Sequence, residues 1–138
     1  MKYFASGLLF DNDGVLVDSH GAAVEAWGQW AKEFAPTVNW NDPANAGQRA
    51  EDLVRRWIAS PELFEQANDR INQLEQYTAH ETIALAEAVE LLHSLADRLW
   101  TVFTSANTNL GRARLEAAGL PVPSQLVSAN HVQRGKPH

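Results

Sequence analysis

The sequence predicts an α/β chain in which a parallel sheet is interrupted by an inserted bundle of helices. Three observations predict it. A short apolar run, Leu8-Leu9-Phe10, breaks abruptly into Asp11-Asn12-Asp13-Gly14, as a buried strand does when it delivers acids to a loop at its carboxyl end. Residues 17 to about 80 carry helical periodicity and no convincing strand, and they hold Trp27, Trp30, Trp40 and Trp57. After them strand and helix patterns alternate, which calls for parallel pairing with right-handed crossovers.

Gly7 to Phe10 reads as the first strand. Asp11 and Asp13 are separated by one residue, so in an extended segment both side chains leave the same face. Carboxylates that close repel unless a hard divalent cation sits between them or one carries a proton. Gly14 then permits a turn that a Cβ would hinder. The same four residues also make good turn chemistry with no function attached.

From Ser19 to Phe34, the residues Ala22, Ala23, Ala26, Trp27, Trp30, Ala31 and Phe34 recur at helical spacing, with Pro36 as a stop. Asn39 to Gly47 is rich in Asn, Asp, Pro and Gly and reads as a loop. A further helix is expected from Ala50 to Ala59, where Leu53, Val54, Trp57 and Ile58 share a face. Ser60 then caps a helix with Pro61 at its first position, and Phe64, Ala67, Ile71, Leu74 and Thr78 carry it to about Ala79.

Leu85, Ala88, Val89, Leu91, Leu92 and Leu95 predict another amphipathic helix. Leu99 to Thr104 is β-rich and apolar enough for a second strand. Asn107 or Thr108 caps a helix running to Ala118, closed by Gly119. Gln125 to Val127 reads as a third strand, and Gly135-Lys136-Pro137-His138 as a turn. His80-Glu81 begins like a zinc-protease helix, but residue 84 is Ala where the second His is required.

The 138 residues make one ordinary domain, and 45% apolar content is ample for a core. Net charge is −6, with eleven Lys and Arg dispersed without a basic run. That argues against nucleic acid or an anionic membrane as partner and leaves room for a small phosphorylated metabolite. The absence of cysteine excludes disulfides and thiolate zinc sites. The opening residues lack a long apolar stretch, so a soluble cytoplasmic protein is expected.

The string Phe10-Asp11-Asn12-Asp13-Gly14-Val15-Leu16-Val17-Asp18-Ser19 closely resembles the first motif of the haloacid dehalogenase-like superfamily, and the resemblance extends over the whole chain. It implies a Rossmann-like parallel-sheet core at residues 1–16 and 85–138, with an α-helical cap inserted at 17–84. The first Asp of that motif is a nucleophile and the second a general acid/base. Because Asp13 is present, the resemblance points to phosphoryl transfer rather than dehalogenation. Val102-Phe103-Thr104-Ser105-Ala106-Asn107 resembles the second motif, with Ser105 the phosphate-binding hydroxyl and Thr104 the alternative; Ala106 follows it in the phosphate site. A strand end beside a helix N-terminus suits a phosphate in any case. Gly135-Lys136-Pro137 resembles the third motif, whose Lys balances the charge of nucleophile and phosphate. Ala46-Gly47-Gln48-Arg49 lies where related caps often carry His-Gly-x-Arg, which makes Arg49 a substrate-binding candidate; a surface Arg capping the loop is the plainer reading.

The resemblance implies Mg²⁺-dependent hydrolysis of a small sugar or polyol phosphate through an aspartyl-phosphate on Asp11, with the metal on Asp11 and Asp13. A phosphomutase of the same fold, a noncatalytic remnant or truncated fragment, and a helical interaction module remain as alternatives. Two departures stand out. Related chains usually have Pro-Gly where this one has Ala86-Glu87, so a more helical, less sharply turned link is expected there. The sequence also stops at His138, before the superfamily's acidic fourth motif. The strand bearing Asp11 is accordingly expected to expose an unpaired edge, and the 138 residues by themselves to be inactive or nearly so, and either self-associating or only part of a longer protein.

Overall fold

The computed structural model describes residues 2, 4–95 and 99–137. Strand β1 (Leu8–Asp11) lies parallel to β4 (Trp100–Phe103), with Leu8 opposite Trp100 and Asp11 opposite Phe103. This register sets the acid-bearing end of one strand beside the start of the Thr104–Asn107 loop. Phe10 and Trp100 meet edge-on with ring centres 6.3 Å apart, an arrangement that aligns ring quadrupoles favourably. Below the loops, Leu16, Val17, Ala88, Leu92, Val102, Leu115, Leu120 and Leu126 form one buried cluster.

Between the strands the chain leaves through β2 (Val17–Asp18) and returns through β3 (Ile83–Ala84), which pair antiparallel. Between residues 17 and about 80 the sequence shows no convincing strand, and β2 corrects that expectation: two paired residues carry no periodicity to read. The excursion consists of α1 (His20–Phe34), a short turn of 3₁₀ helix at Pro43–Asn45, α2 (Ala50–Trp57), α3 (Pro61–Thr78) and a second 3₁₀ turn at Ala79–Glu81. A second cluster unites Trp27, Trp30, Leu53, Val54, Phe64, Ala67, Ile71 and Leu74 from these helices. At its centre Trp30 is wholly buried and donates its indole N–H to Ala67 O at 2.8 Å. A buried indole needs such a partner. Trp27 and Trp57 pack on it at 5.3 and 5.8 Å between ring centres. Outside, Arg70 of α3 forks onto Glu33 of α1.

Ser60 caps α3 as expected, its hydroxyl accepting from Leu63 N–H at 3.4 Å. The return segment differs from expectation. Helix α4 (Ala88–Ser94) starts three residues later than the Leu85 pattern implies, because Glu87 adopts the left-handed conformation at φ 68°. The link is therefore sharply turned, with a side chain in a conformation that glycine tolerates best.

Helix α5 (Thr108–Ala117) is capped by Asn107, whose Oδ1 accepts from Leu110 N–H at 2.9 Å, and ends at Gly119 with φ 68°. The expected third strand at 125–127 shrinks to one parallel bridge between Val127 and Phe103. Pro121 and Pro123 precede it without N–H groups to offer, and Gln125 O accepts from the Thr101 hydroxyl instead of a backbone donor. The expectation of a buried first strand also changes. Among the described residues β1 pairs only with β4, and Leu8 and Leu9 are 41% and 58% exposed.

Candidate active site

Asp11 closes β1, and its Oδ1 accepts from the Lys136 ammonium at 2.7 Å and from Asn12 N–H at 2.8 Å. After Asn12 the chain turns at once. Asn12 O accepts from the N–H groups of Val15, Leu16 and Val17, and Gly14 sits at φ 80°, a conformation that costs glycine little. This tight loop aims Asp13 into the same cleft as Asp11.

Asp13 has a different set of partners. Its Oδ1 accepts from the Ser19 hydroxyl at 2.7 Å and from Arg114 Nη1 at 3.0 Å, while Thr104 Oγ1 stands 3.4 Å from Oδ2. The two acids are thus held separately, one by a flexible ammonium and the other by a guanidinium and two hydroxyls. Charge-assisted bonds of this kind are roughly twice as strong as neutral ones.

Ser105, Ala106, Lys136 and Arg49 line that cleft too, so folding brings these four together with Asp11 and Asp13. Their present partners refine the picture. Ser105 donates its hydroxyl to Gly47 O at 2.7 Å, across to the helical unit, and it is Thr104 that reaches Asp13. Ala106 N–H donates to Thr104 Oγ1 at 3.1 Å. At the start of α5, Thr108 N–H goes to Asn130 Oδ1 at 2.8 Å. Several donors expected to greet a phosphate are therefore already satisfied internally.

Arg49 is engaged as well. It forks onto Asp52 with two contacts of 2.8 Å and reaches Val132 O and Gln133 O at 3.3 and 3.4 Å. It therefore ties the helical unit to the loop carrying Lys136. Gly135 makes the approach possible, since a Cβ there would lie 3.0 Å from Arg49 Cγ.

Two charged residues of the site escaped the sequence reading, Arg114 and Glu75. Arg114 is buried and bridges Asp13 to Glu75, whose Oε1 lies 3.4 Å from Nη2. Burial pushes the Glu75 carboxyl above its ordinary value, and the Arg114 charge opposes that shift. A signal was present. Arg114 shares a face with Leu110 and Leu115, and Glu75 lies one turn after Ile71 and beside Leu74, so each interrupts an apolar stripe.

Asp11 and Asp13 offer oxygen donors only, in a cleft open to solvent. Such a set fits Mg²⁺ in kind, since that ion takes one or two carboxylates and completes its shell with water and phosphate oxygens. Among the described residues no group of three or more His, Cys, Asp and Glu gathers as a self-sufficient metal cage.

The family model of the haloacid dehalogenase-like hydrolases matches residues 5–138. The chain belongs to that family. It is 37% identical to hexitol phosphatase A of Escherichia coli over 95% of this chain and 62% of that protein. It is 27% identical to 2-deoxyglucose-6-phosphate phosphatase 1 of Saccharomyces cerevisiae, over 99% of this chain and 62% of the relative. The chain thus spans about 62% of the length of both curated relatives. Among solved structures, a hydrolase from Pseudomonas syringae superposes with a TM-score of 0.77 at 29% identity, over 96% of this chain and 65% of that one. No described helix of this haloacid dehalogenase-like chain is long and apolar enough to cross a membrane.

Proposed function

We propose that this chain carries the nucleophile and acid of a phosphomonoester phosphatase whose substrate is a small sugar or polyol phosphate. The separate anchoring of the two acids in one cleft supports this most directly: Asp11 on Lys136, Asp13 on Ser19 and Arg114. The likeness to two phosphatases of sugar-type phosphates supports the substrate class. The helical unit of α1, α2 and α3 acts as the cap, at residues 17–84, over a core of 1–16 and 85–138.

In this reading both contacts of Asp11 fall on Oδ1, leaving Oδ2 to attack phosphorus. The new Oδ2–P bond forms as the bond from phosphorus to the leaving oxygen breaks, and Asp13 gives that oxygen its proton. Asp13 then takes a proton from water, whose oxygen displaces Asp11 from phosphorus and releases inorganic phosphate. Ser105 and Ala106 exchange Gly47 O and Thr104 Oγ1 for phosphoryl oxygens, and Lys136 balances their charge. Mg²⁺, held by the Asp11 carboxylate and the Asp13 carbonyl, would neutralise charge on the transferred group.

The test is a screen of sugar and polyol phosphates with Mg²⁺ on the intact protein. Phosphate release by wild type, lost in Asp11→Asn together with phosphoenzyme labelling, is the expected result. Asp13→Asn should retain labelling capacity but lose about 10²–10⁴-fold in rate. An Asp11→Asn protein that still labels with substrate phosphate would overturn the assignment.

A further inference from the structure

We propose that Arg114 is a positioning residue for the acid Asp13 and that the helical unit holds it in place through Glu75. The inference rests on the phosphatase reading above, in which Asp13 protonates the leaving oxygen. Arg114 lies midway along α5, its side chain 6% exposed, between Leu110 and Leu115 on the buried face. An apolar residue would fill that place without desolvating a guanidinium, and Nε is buried with no hydrogen-bond partner among the described residues. Both features are unfavourable on their own. What the guanidinium gains is the pair of carboxylates at its two ends: Asp13 Oδ1 at 3.0 Å from Nη1 and Glu75 Oε1 at 3.4 Å from Nη2.

The geometry at Asp13 gives the contact a consequence. Ser19 and Arg114 both hold Oδ1, at 2.7 and 3.0 Å, whereas Oδ2 has only the 3.4 Å approach of Thr104. The carboxyl plane is thereby fixed by one oxygen, and the weakly held Oδ2 is the one free to exchange a proton in the cleft. A planar fork is suited to this, because it sets direction as well as charge.

Glu75 brings the cap into the arrangement. One turn earlier on α3, Asn72 Oδ1 accepts from Asn107 Nδ2 at 3.1 Å, and Asn107 caps α5. Asn72 and Glu75 of α3 thus clasp Asn107 and Arg114 of α5. Seating of the helical unit on the core fixes the far end of the guanidinium, and through it the orientation of Asp13.

Leaving-group dependence tests this, because an aryl phosphate needs little protonation of its leaving oxygen and an alkyl phosphate needs it fully. Arg114→Met, Arg114→Lys and Glu75→Gln are compared with the wild-type protein on p-nitrophenyl phosphate and on glycerol phosphate. Arg114→Met should lower kcat/KM about 10–100-fold on glycerol phosphate and no more than about threefold on the aryl ester. Arg114→Lys should recover part of the loss, and Glu75→Gln should show a smaller loss with the same selectivity. In an Asp13→Asn background Arg114→Met should add nothing further. Equal losses on both esters, no loss on either, or full additivity with Asp13→Asn would overturn the proposal. Should Arg114→Met fail to fold, Arg114→Lys and Glu75→Gln decide by the same selectivity. Wild-type protein inactive on both esters would instead overturn the phosphatase reading, and this inference with it.

Discussion

Lys136 Nζ lies 2.7 Å from Asp11 Oδ1 and 4.3 Å from the centre of the Phe103 ring. The ammonium is therefore held between the ends of the two paired strands, since Asp11 and Phe103 are partners across the β1–β4 register. Attraction to the ring face supplements the ion pair and fixes where the charge sits. In the proposed reaction, this position would let one charge restrain Asp11 first and balance the phosphoryl group afterwards.

Lys136→Ala should lower kcat by about 10²–10³-fold, the range seen when one preorganised charge-stabilising donor is removed. Lys136→Arg should restore the charge only in part, because a planar fork does not match a point contact. Steady-state kinetics on the best substrate, with circular dichroism to verify folding, checks both. Unimpaired turnover in Lys136→Ala would remove it from the site.

Arg49→Ala should raise KM and reduce kcat/KM by about tenfold through loss of order in the 132–136 loop. The structural basis is the set of contacts from Arg49 to Val132 O and Gln133 O. Melting should change little, as the Arg49–Asp52 pair is partly open to solvent. Unchanged kinetics across several sugar phosphates would leave Arg49 a loop cap.

Glu75→Gln addresses the pH dependence of stability. Burial raises the folded-state value of Glu75 above 4.5, with Arg114, Asp13 and the Trp27 indole facing it. A raised carboxyl binds its proton more tightly in the folded chain than in the unfolded one. Stability from this group is therefore present at low pH and declines as pH rises above about 4.5 through the folded value. Urea midpoints at successive pH values should shift in favour of Glu75→Gln over that window. A difference that is flat with pH would refute the raised value.

Glu87→Gly should stabilise the chain by roughly 0.5–1 kcal/mol. A side chain at positive φ costs about 1–2 kcal/mol, and glycine returns part of that gain as unfolded-state entropy. The φ of 68° at Glu87 is the relevant strain. Thermal or urea denaturation measures the change, and destabilisation would mean that the Glu87 side chain contributes more than its backbone costs.

Long periodic elements were legible in the sequence because their own side chains specify them. Helices α1 and α3, the caps at Ser60 and Asn107, and the β1 and β4 strands follow from apolar spacing and local chemistry. The motif residues Asp11, Asp13 and Lys136 were equally visible, since their meaning rests on near neighbours in the chain. Tertiary structure decided the rest. Pairing of β2 with β3 joins two-residue segments that have no pattern of their own. The turn at Glu87 is imposed on a residue that does not favour it. Which hydroxyl faces Asp13, Thr104 or Ser105, depends on where Gly47 of the helical unit comes to rest. Arg114 and Glu75 read as charges on helices until α3 and α5 pack together, and only that packing replaces their lost hydration with each other and Asp13.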